Sequence, residues 1–424
     1  MSSLISAGQK QDAAHPAHAW RRRHHSFGFW VAATAFLVNM GFSAVPTPLY
    51  VLYQQRDHFS TVMLTVVYAV YAVGVIASLF FGGHLSDWVG RKGVLVPALL
   101  INVVSAMIFL FAPGLPGLVA ARVVSGISVG LTTATATAYL AELHIGVFGS
   151  EHSPRRAQVV ATAANLGGIG VGPLVAGLLA QYAPQPLRLP YILFAAVLFV
   201  LAVLVVLSPE TVGRPEPAPR YRPQRIVVPG HARRKFFVAT GAGIASFAVY
   251  GVFNSLAPSF LVGTMHQHSH AVAGAVAFAA FAAGAVAQIA MSRAGLPRTL
   301  NAGPLILVPG LALLVGGMWL PSLMMFVFGG VLTGAGGGLA FRGALTAAGS
   351  TAPAASRAEV LAGFFLGAYI GLSVPVVGLG IATQYVSAST VMLGFVVIAA
   401  VAVVGCGRVL AAQHTRSGPG EHTE

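Results

Sequence analysis

The sequence predicts an all-α membrane protein with 12 transmembrane helices. Three observations carry this: the composition, the number of long apolar runs, and the one-sided placement of basic residues. Of 424 residues, 56% are hydrophobic and only 8% charged, which leaves too little polar surface to coat a water-soluble globule. A helix needs about 20 mostly apolar residues to cross the hydrocarbon core, and 12 runs approach or exceed that length.

In the first half the runs cover 27–52, 62–81, 94–112, 116–140, 159–182 and 191–207; in the second, 236–264, 271–291, 303–320, 322–346, 360–386 and 391–410. The implied organisation is a tail (1–26), a bundle (27–208), a linker (209–235), a second bundle (236–410) and a tail (411–424). A net charge of +14 would suggest nucleic acid in a soluble protein, but here the distribution points to topology. With both ends inside, 21 of the 24 Lys and Arg fall on the cytoplasmic side, as the positive-inside rule requires. Only Arg56 and Arg188 lie in outer loops, and Arg122 lies within a span. No nucleic-acid partner is expected.

Taken in order, the first run is too long for a signal peptide and is expected to stay as helix 1. It holds Gly41 to Pro48, and the seventh run holds Gly251 to Pro258 with the same Gly-to-Pro spacing. Leu131-Thr132 in the fourth run and Leu332-Thr333 in the tenth correspond in the same way. Such internal repeats suit a site near mid-membrane between two halves. A polar decapeptide, Gly83-His-Leu-Ser-Asp87-Trp-Val-Gly90-Arg91-Lys92, separates the second and third runs. Its glycines allow tight turning, and Asp87 and Arg91 are spaced to pair.

The fourth run carries Arg122, followed by Gly126, Thr133 and Thr137 on roughly one face. An ionisable residue inside a span is a functional candidate by default; the structural alternative is an Arg that snorkels outward or caps carbonyls. The fifth run holds Gly168, Gly172, Pro173 and Gly177, a small-residue pattern that lets helices touch. The linker combines Pro-Glu-Pro-Ala-Pro with seven basic residues, and its end at 225–237 suits either the inner leaflet or a disordered connector. The Gly334–Gly338 stretch follows no strand and lacks a Gly-Lys-Ser/Thr ending, so it reads as helix packing. Cys406 is the single cysteine, which excludes an internal disulfide. His266, His268 and His270, and the tail histidines His15, His18, His24 and His25, lack neighbouring acids or thiols and are expected to be solvated, so no metal is assigned.

The decapeptide resembles the signature loop of the major facilitator superfamily, Gly-x-Leu-x-Asp, an aromatic or basic residue, then Gly-Arg-Lys, with Trp88 where a basic residue is usual. The resemblance implies that the 12 transmembrane helices form two pseudo-symmetric six-helix bundles, and it implies transport by alternating access. It makes Gly83, Asp87, Gly90, Arg91 and Lys92 a conformational latch, with Asp87 facing the N-terminus of the eleventh span in the outward-open state. Arg122 with Gly126 and Gly130 is similar to the family's fourth-helix pattern, and the fifth-run motif resembles the one that marks its antiporters, with Ala176 replacing one Gly. Glu142 and Pro209-Glu210-Thr211 resemble sugar-porter motifs and are expected to form a charge network with Arg155 and Arg156. By the same resemblance Asn39, Tyr50, Thr133, Thr137, Tyr250 and Asn254 join Arg122 and Glu142 as coupling or substrate candidates on cavity helices.

All ten acids are terminal, in loops or near helix ends, so proton coupling is implied by the family rather than by a buried carboxylate. The expected activity is secondary, proton-coupled efflux of drug-like or small metabolite molecules across the cell (inner) membrane. The alternatives are a proton-coupled importer or uniporter of a small organic acid or sugar, and a membrane sensor without transport. The expected partners are the small-molecule substrate, protons and membrane lipid. A monomer with no cofactor is expected, and an enzyme is not, since no nucleophile, base and orienting group converge.

Overall fold

The computed structural model describes residues 16–149, 152–213, 228–353 and 356–416. The remaining tails, most of the proline-rich linker, and two short stretches at Glu151 and Ala354 lie outside the described residues. Twelve helices are long and apolar enough to cross a membrane: α1 Arg22–Asp57, α2 Thr61–Gly82, α3 Arg91–Phe111, α4 Leu115–Phe148, α5 Arg155–Tyr182, α6 Leu189–Leu207, α7 Arg233–Ser255, α8 His270–Arg293, α9 Leu296–Trp319, α10 Leu323–Gly349, α11 Glu359–Ala382 and α12 Ala388–Gln413. No strand occurs among the described residues. Several helices outrun their apolar stretches. α4 continues past Leu140 through Glu142 and His144 because nothing stops it until Gly149, in a positive-φ conformation (84°), where Gly is at ease.

The internal repeat in α1 and α7 is a repeated bend. α1 breaks at Val45, with Pro46 opening a second helical segment that runs to Asp57. α7 ends at Ser255 and is continued by a separate helix, Ala257–Met265, with Pro258 in its first turn. A proline cannot donate the i→i−4 bond but is well placed at a helix start, so each break restarts the helix. Both segments end on a left-handed histidine, His58 (φ 55°) and His266 (φ 52°). The following spans then start from serine caps, Ser60 accepting from Met63 N–H and Ser269 from Val272 N–H, as N-caps do.

α1–α6 pack as one bundle and α7–α12 as the other. Within each, small residues let helices touch: a Cβ on Gly74 of α2 would lie 2.1 Å from the Val123 carbonyl of α4, and one on Gly334 of α10 would lie 2.0 Å from the Ala280 carbonyl of α8. The bundles meet along two seams, α5 with α8 and α2 with α11, and where the bent ends of α1 and α7 cross. The long segments of α1, α4 and α10 on the side of the chain termini make no substantial contact with the opposite bundle. The cleft between bundles is therefore shut at the end distal to the termini and open toward the terminal end.

Candidate functional site

The closed end of the cleft is pinned by a polar pair. The Thr47 hydroxyl, two residues past the α1 break, lies 2.7 Å from Asn254 Oδ1 and 2.8 Å from the Asn254 carbonyl. Behind this pair sits Arg122, seven residues into α4 and so about 10 Å from its distal end at 1.5 Å per residue. Its side chain is 1% exposed. One guanidinium nitrogen donates to the Ser43 carbonyl at 2.6 Å and another to the Tyr68 carbonyl at 3.5 Å, while Nε has no partner among the described residues. The first bond lies at the bend in α1, where Pro46 and Pro48 cannot donate to the Phe42 and Ala44 carbonyls and the helical ladder is interrupted. The guanidinium also lies over the Tyr71 ring at 4.5 Å and near the Tyr68 ring at 5.5 Å, geometry suited to cation–π attraction. Among the described residues no carboxylate pairs with it. Tyr50 is buried close by.

The other sequence candidates separate into two groups. Asn39 is fully buried inside the first bundle, where it donates to Thr132 Oγ1 (2.9 Å) and its Oδ1 accepts from Asn102 Nδ2 (2.8 Å) and Ser128 (3.2 Å). It thus ties α1, α3 and α4 together and does not face the cleft. Tyr250 is likewise occupied: its hydroxyl donates to the Gly334 carbonyl at 2.7 Å and its ring stacks on Phe281 at 4.9 Å. Thr133 and Thr137 each donate to the carbonyl four residues back, with Thr133 half-buried and Thr137 exposed on the terminal half of α4. Composition and spacing could not separate these roles. The residues overlooked in the sequence, Thr47, Tyr68 and Tyr71, carry one available signal: the two tyrosines are spaced i, i+3 on α2, one turn apart on the same face.

At the terminal end the decapeptide forms the network its charges suggest, with different partners. Arg91 donates to Asp87 (2.6 Å), Ser86 (2.7 Å) and Glu142 (2.7 Å). Glu210 accepts from the backbone N–H groups of Arg91 (2.9 Å) and Lys92 (3.0 Å), placing a carboxylate on the N-terminus of α3 where the helix dipole favours it. Thr211 donates to Glu142 at 2.5 Å, and Lys92 Nζ donates to the Val206 carbonyl at 3.1 Å. Gly90 is required at this join: its φ is 97°, and a Cβ there would lie 2.7 Å from Glu210 Oε2.

Arg155 and Arg156, expected in this network, are elsewhere. Arg155 donates to Ser292 of α8 at 3.1 Å, and Arg156 lies over Trp30 and Phe148, because α5 starts on the side of α4 away from Arg91. Asp87 is 58% exposed and its ion-pair partner is Arg91; among the described residues no ion pair joins it to α11. Arg342 caps the end of α8 through the Gln288 and Ser292 carbonyls, a favourable place for a cation.

The α5 motif serves two neighbours at once. Gly168 and Gly172 press on α1, where added Cβ atoms would lie 2.4 Å from the Leu37 carbonyl and 1.9 Å from the Gly41 carbonyl. Gly177 and Pro173 face α8 of the other bundle, with His270 and Gly274 opposite. The model of the Major Facilitator Superfamily matches residues 5–115 and 31–314, together most of the chain. The chain is a member of the major facilitator superfamily.

The architecture agrees. The nucleoside transporter NupG, in the form of a single-residue mutant, superposes with a TM-score of 0.67 at 12% identity over 93% of this chain and 100% of that one. A bacterial homologue of the human lysosomal transporter Spinster, in an inward-facing and unoccupied conformation, superposes with a TM-score of 0.64 at 14% identity over 92% and 96%. In sequence, a major facilitator superfamily multidrug transporter, mfsB of Aspergillus fumigatus, is 36% identical over 125 residues, 27% of this chain and 19% of that protein; the chain thus spans about a fifth of that relative's length. Family membership makes this chain a multi-pass membrane protein of a transporter superfamily.

Proposed function

We propose that this transporter exports drug-like or small metabolite molecules by alternating access, exchanging them for protons. Supporting the cycle is the form of the bundle interface: a cleft open at one end and closed at the other, where the Thr47–Asn254 contact joins the bent ends of α1 and α7, with glycine-lined seams along which the bundles can rock. Asp87, exposed beside Arg91, is poised as the latch that re-forms when the terminal end closes. The Lys and Arg on the terminal side assign that side to the cytoplasm, so the open cleft is the state that loads an exported molecule in the cell membrane. The α5 motif and the 125-residue match to a multidrug transporter favour export of organic molecules.

The observation that carries the site is Arg122, a buried cation with tyrosine faces and no acid partner among the described residues, directly behind the closed end. The absence of Asp and Glu from the depths of the spans favours one second reading, an importer or uniporter of a small organic acid or sugar whose transport does not depend on a buried proton-carrying carboxylate. Reconstitution in liposomes under an imposed pH gradient separates the two. Substrate-dependent proton leak, lost in Asp87→Asn and Arg122→Ala, is the outcome expected of the exporter. Substrate flux that ignores the gradient selects the uniporter.

A further inference from the structure

The guanidinium of Arg122 is always charged, and burying such a charge without an opposite one is strongly unfavourable. Its partners here are two backbone carbonyls and two tyrosine faces, and Nε makes no hydrogen bond among the described residues. Tyr71, whose ring covers it, is buried, as are Asn254 and Tyr369 on the side of the opposite bundle. That side is aromatic. Phe247 of α7 packs edge-on to Tyr369 of α11 at 5.5 Å and against Phe341 of α10 at 4.7 Å, and Phe247 and Phe365 also reach the apolar core of the first bundle. An incompletely satisfied guanidinium on one bundle and an aromatic cluster on the other suit a ring bearing one negative charge that reaches both.

We propose that the transported molecule is an aromatic monocarboxylate, its carboxylate displacing the Ser43 carbonyl from Arg122 and its ring lying against Phe247, Phe341 and Tyr369. This rests on the reading of the cleft as the transport path. A carboxylate, with two oxygens and a full negative charge, accepts two parallel N–H bonds from a guanidinium edge, a pairing a single neutral carbonyl oxygen does not match, so the exchange favours the anion once Tyr71 moves aside. The bound molecule then supplies the negative charge that the depths of the spans lack.

Matched rings that differ only in charge test this on the full-length reconstituted protein: benzoate, benzamide and benzylamine, with the 2-naphthyl series as a larger set. In at least one set the acid is expected to cross at least ten times faster than the amide, with the amine at background. Arg122→Gln is expected to erase that preference, and Arg122→Lys to keep its sign at a reduced rate; melting temperatures report whether each variant is folded. Because the ranking comes from the unaltered protein, a variant that fails to fold does not remove the test. Amide or amine flux equal to that of the acid overturns the proposal while leaving transport through the cleft intact. Silence with all six compounds also overturns it, and the broader drug and sugar panel under a pH gradient then decides separately whether the cleft transports at all.

Discussion

The Thr47 hydroxyl shares its single proton between the side-chain and backbone oxygens of Asn254, 207 residues away in the sequence, and this contact joins the two bundles at the closed end of the cleft. It sits where the two proline-induced bends face each other. Both partners arise from the same structural repeat, so one short polar contact reports the state of the whole interface.

Removing that contact is expected to loosen the closed end. A net hydrogen bond contributes about 1 kcal/mol, so Thr47→Val, which preserves shape, should raise the population open at the distal end about fivefold. Spin-label distances between the distal ends of α1 and α7 measure this directly. An unchanged distance distribution would mean that the α2–α11 and α5–α8 seams alone hold the end shut.

Gly90 and Gly149 form a controlled pair. Both have positive φ, 97° and 84°, but a Cβ on Gly90 meets Glu210 whereas one on Gly149 meets nothing within 4 Å. Alanine at Gly149 should therefore show backbone strain alone, on the order of 1 kcal/mol. Gly90→Ala should lose about 1–3 kcal/mol more as Glu210 is pushed from its amide partners. Denaturation of the two variants in detergent gives the comparison.

Asn39 is expected to matter for stability and not for substrate choice. Asn39→Leu leaves Asn102 and Thr132 short of partners in a dry core, a loss of roughly 2–4 kcal/mol. The folded remainder should rank substrates as the parent protein does, and a changed ranking would place Asn39 in the cleft instead.

Asp87→Asn should do the reverse. Asp87 is 58% exposed, and its buried partner Arg91 keeps the Glu142 carboxylate when Asp87 is neutralised, so the loss should stay near that of an exposed ion pair, about 0–1 kcal/mol, and the melting temperature should hardly move. As the proposed latch of the opposite state, however, the variant should slow transport by about tenfold or more. Equal slowing and destabilisation would assign Asp87 a purely structural part in this loop.

Seam glycines divide by the bundle they separate. Gly172→Ala meets the Gly41 carbonyl within one bundle, whereas Gly274→Ala meets the Pro173 carbonyl across the interface. The first change is expected to lower the yield of folded protein. The second should leave folded protein whose flux is impaired, as flux assays on purified material would show.

Much of this was legible in the chain itself. Crossing a bilayer demands about 20 apolar residues per helix, so the 12 spans can be counted without coordinates, and Asp87 and Arg91, four residues apart, pair as their spacing foretells. The matching Gly41–Pro48 and Gly251–Pro258 spacing was readable as a repeat, and the structure shows each copy to be a helix break, because proline's missing N–H acts locally.

Only the tertiary structure decided which polar residues face one another. Asn39 and Arg122 look alike in sequence, each a polar residue in an apolar span. One is fully bonded to α3 and α4, and the other is left with carbonyls and tyrosine rings, because helix rotation and the Gly74–Gly126 approach set what each one meets. Glu210 rather than Asp87 caps a helix, and Arg155 faces Ser292 rather than Glu142, for the same reason. Hydropathy and proline act along the chain and can be read there, whereas hydrogen-bond partners far apart in sequence depend on the packing of whole helices.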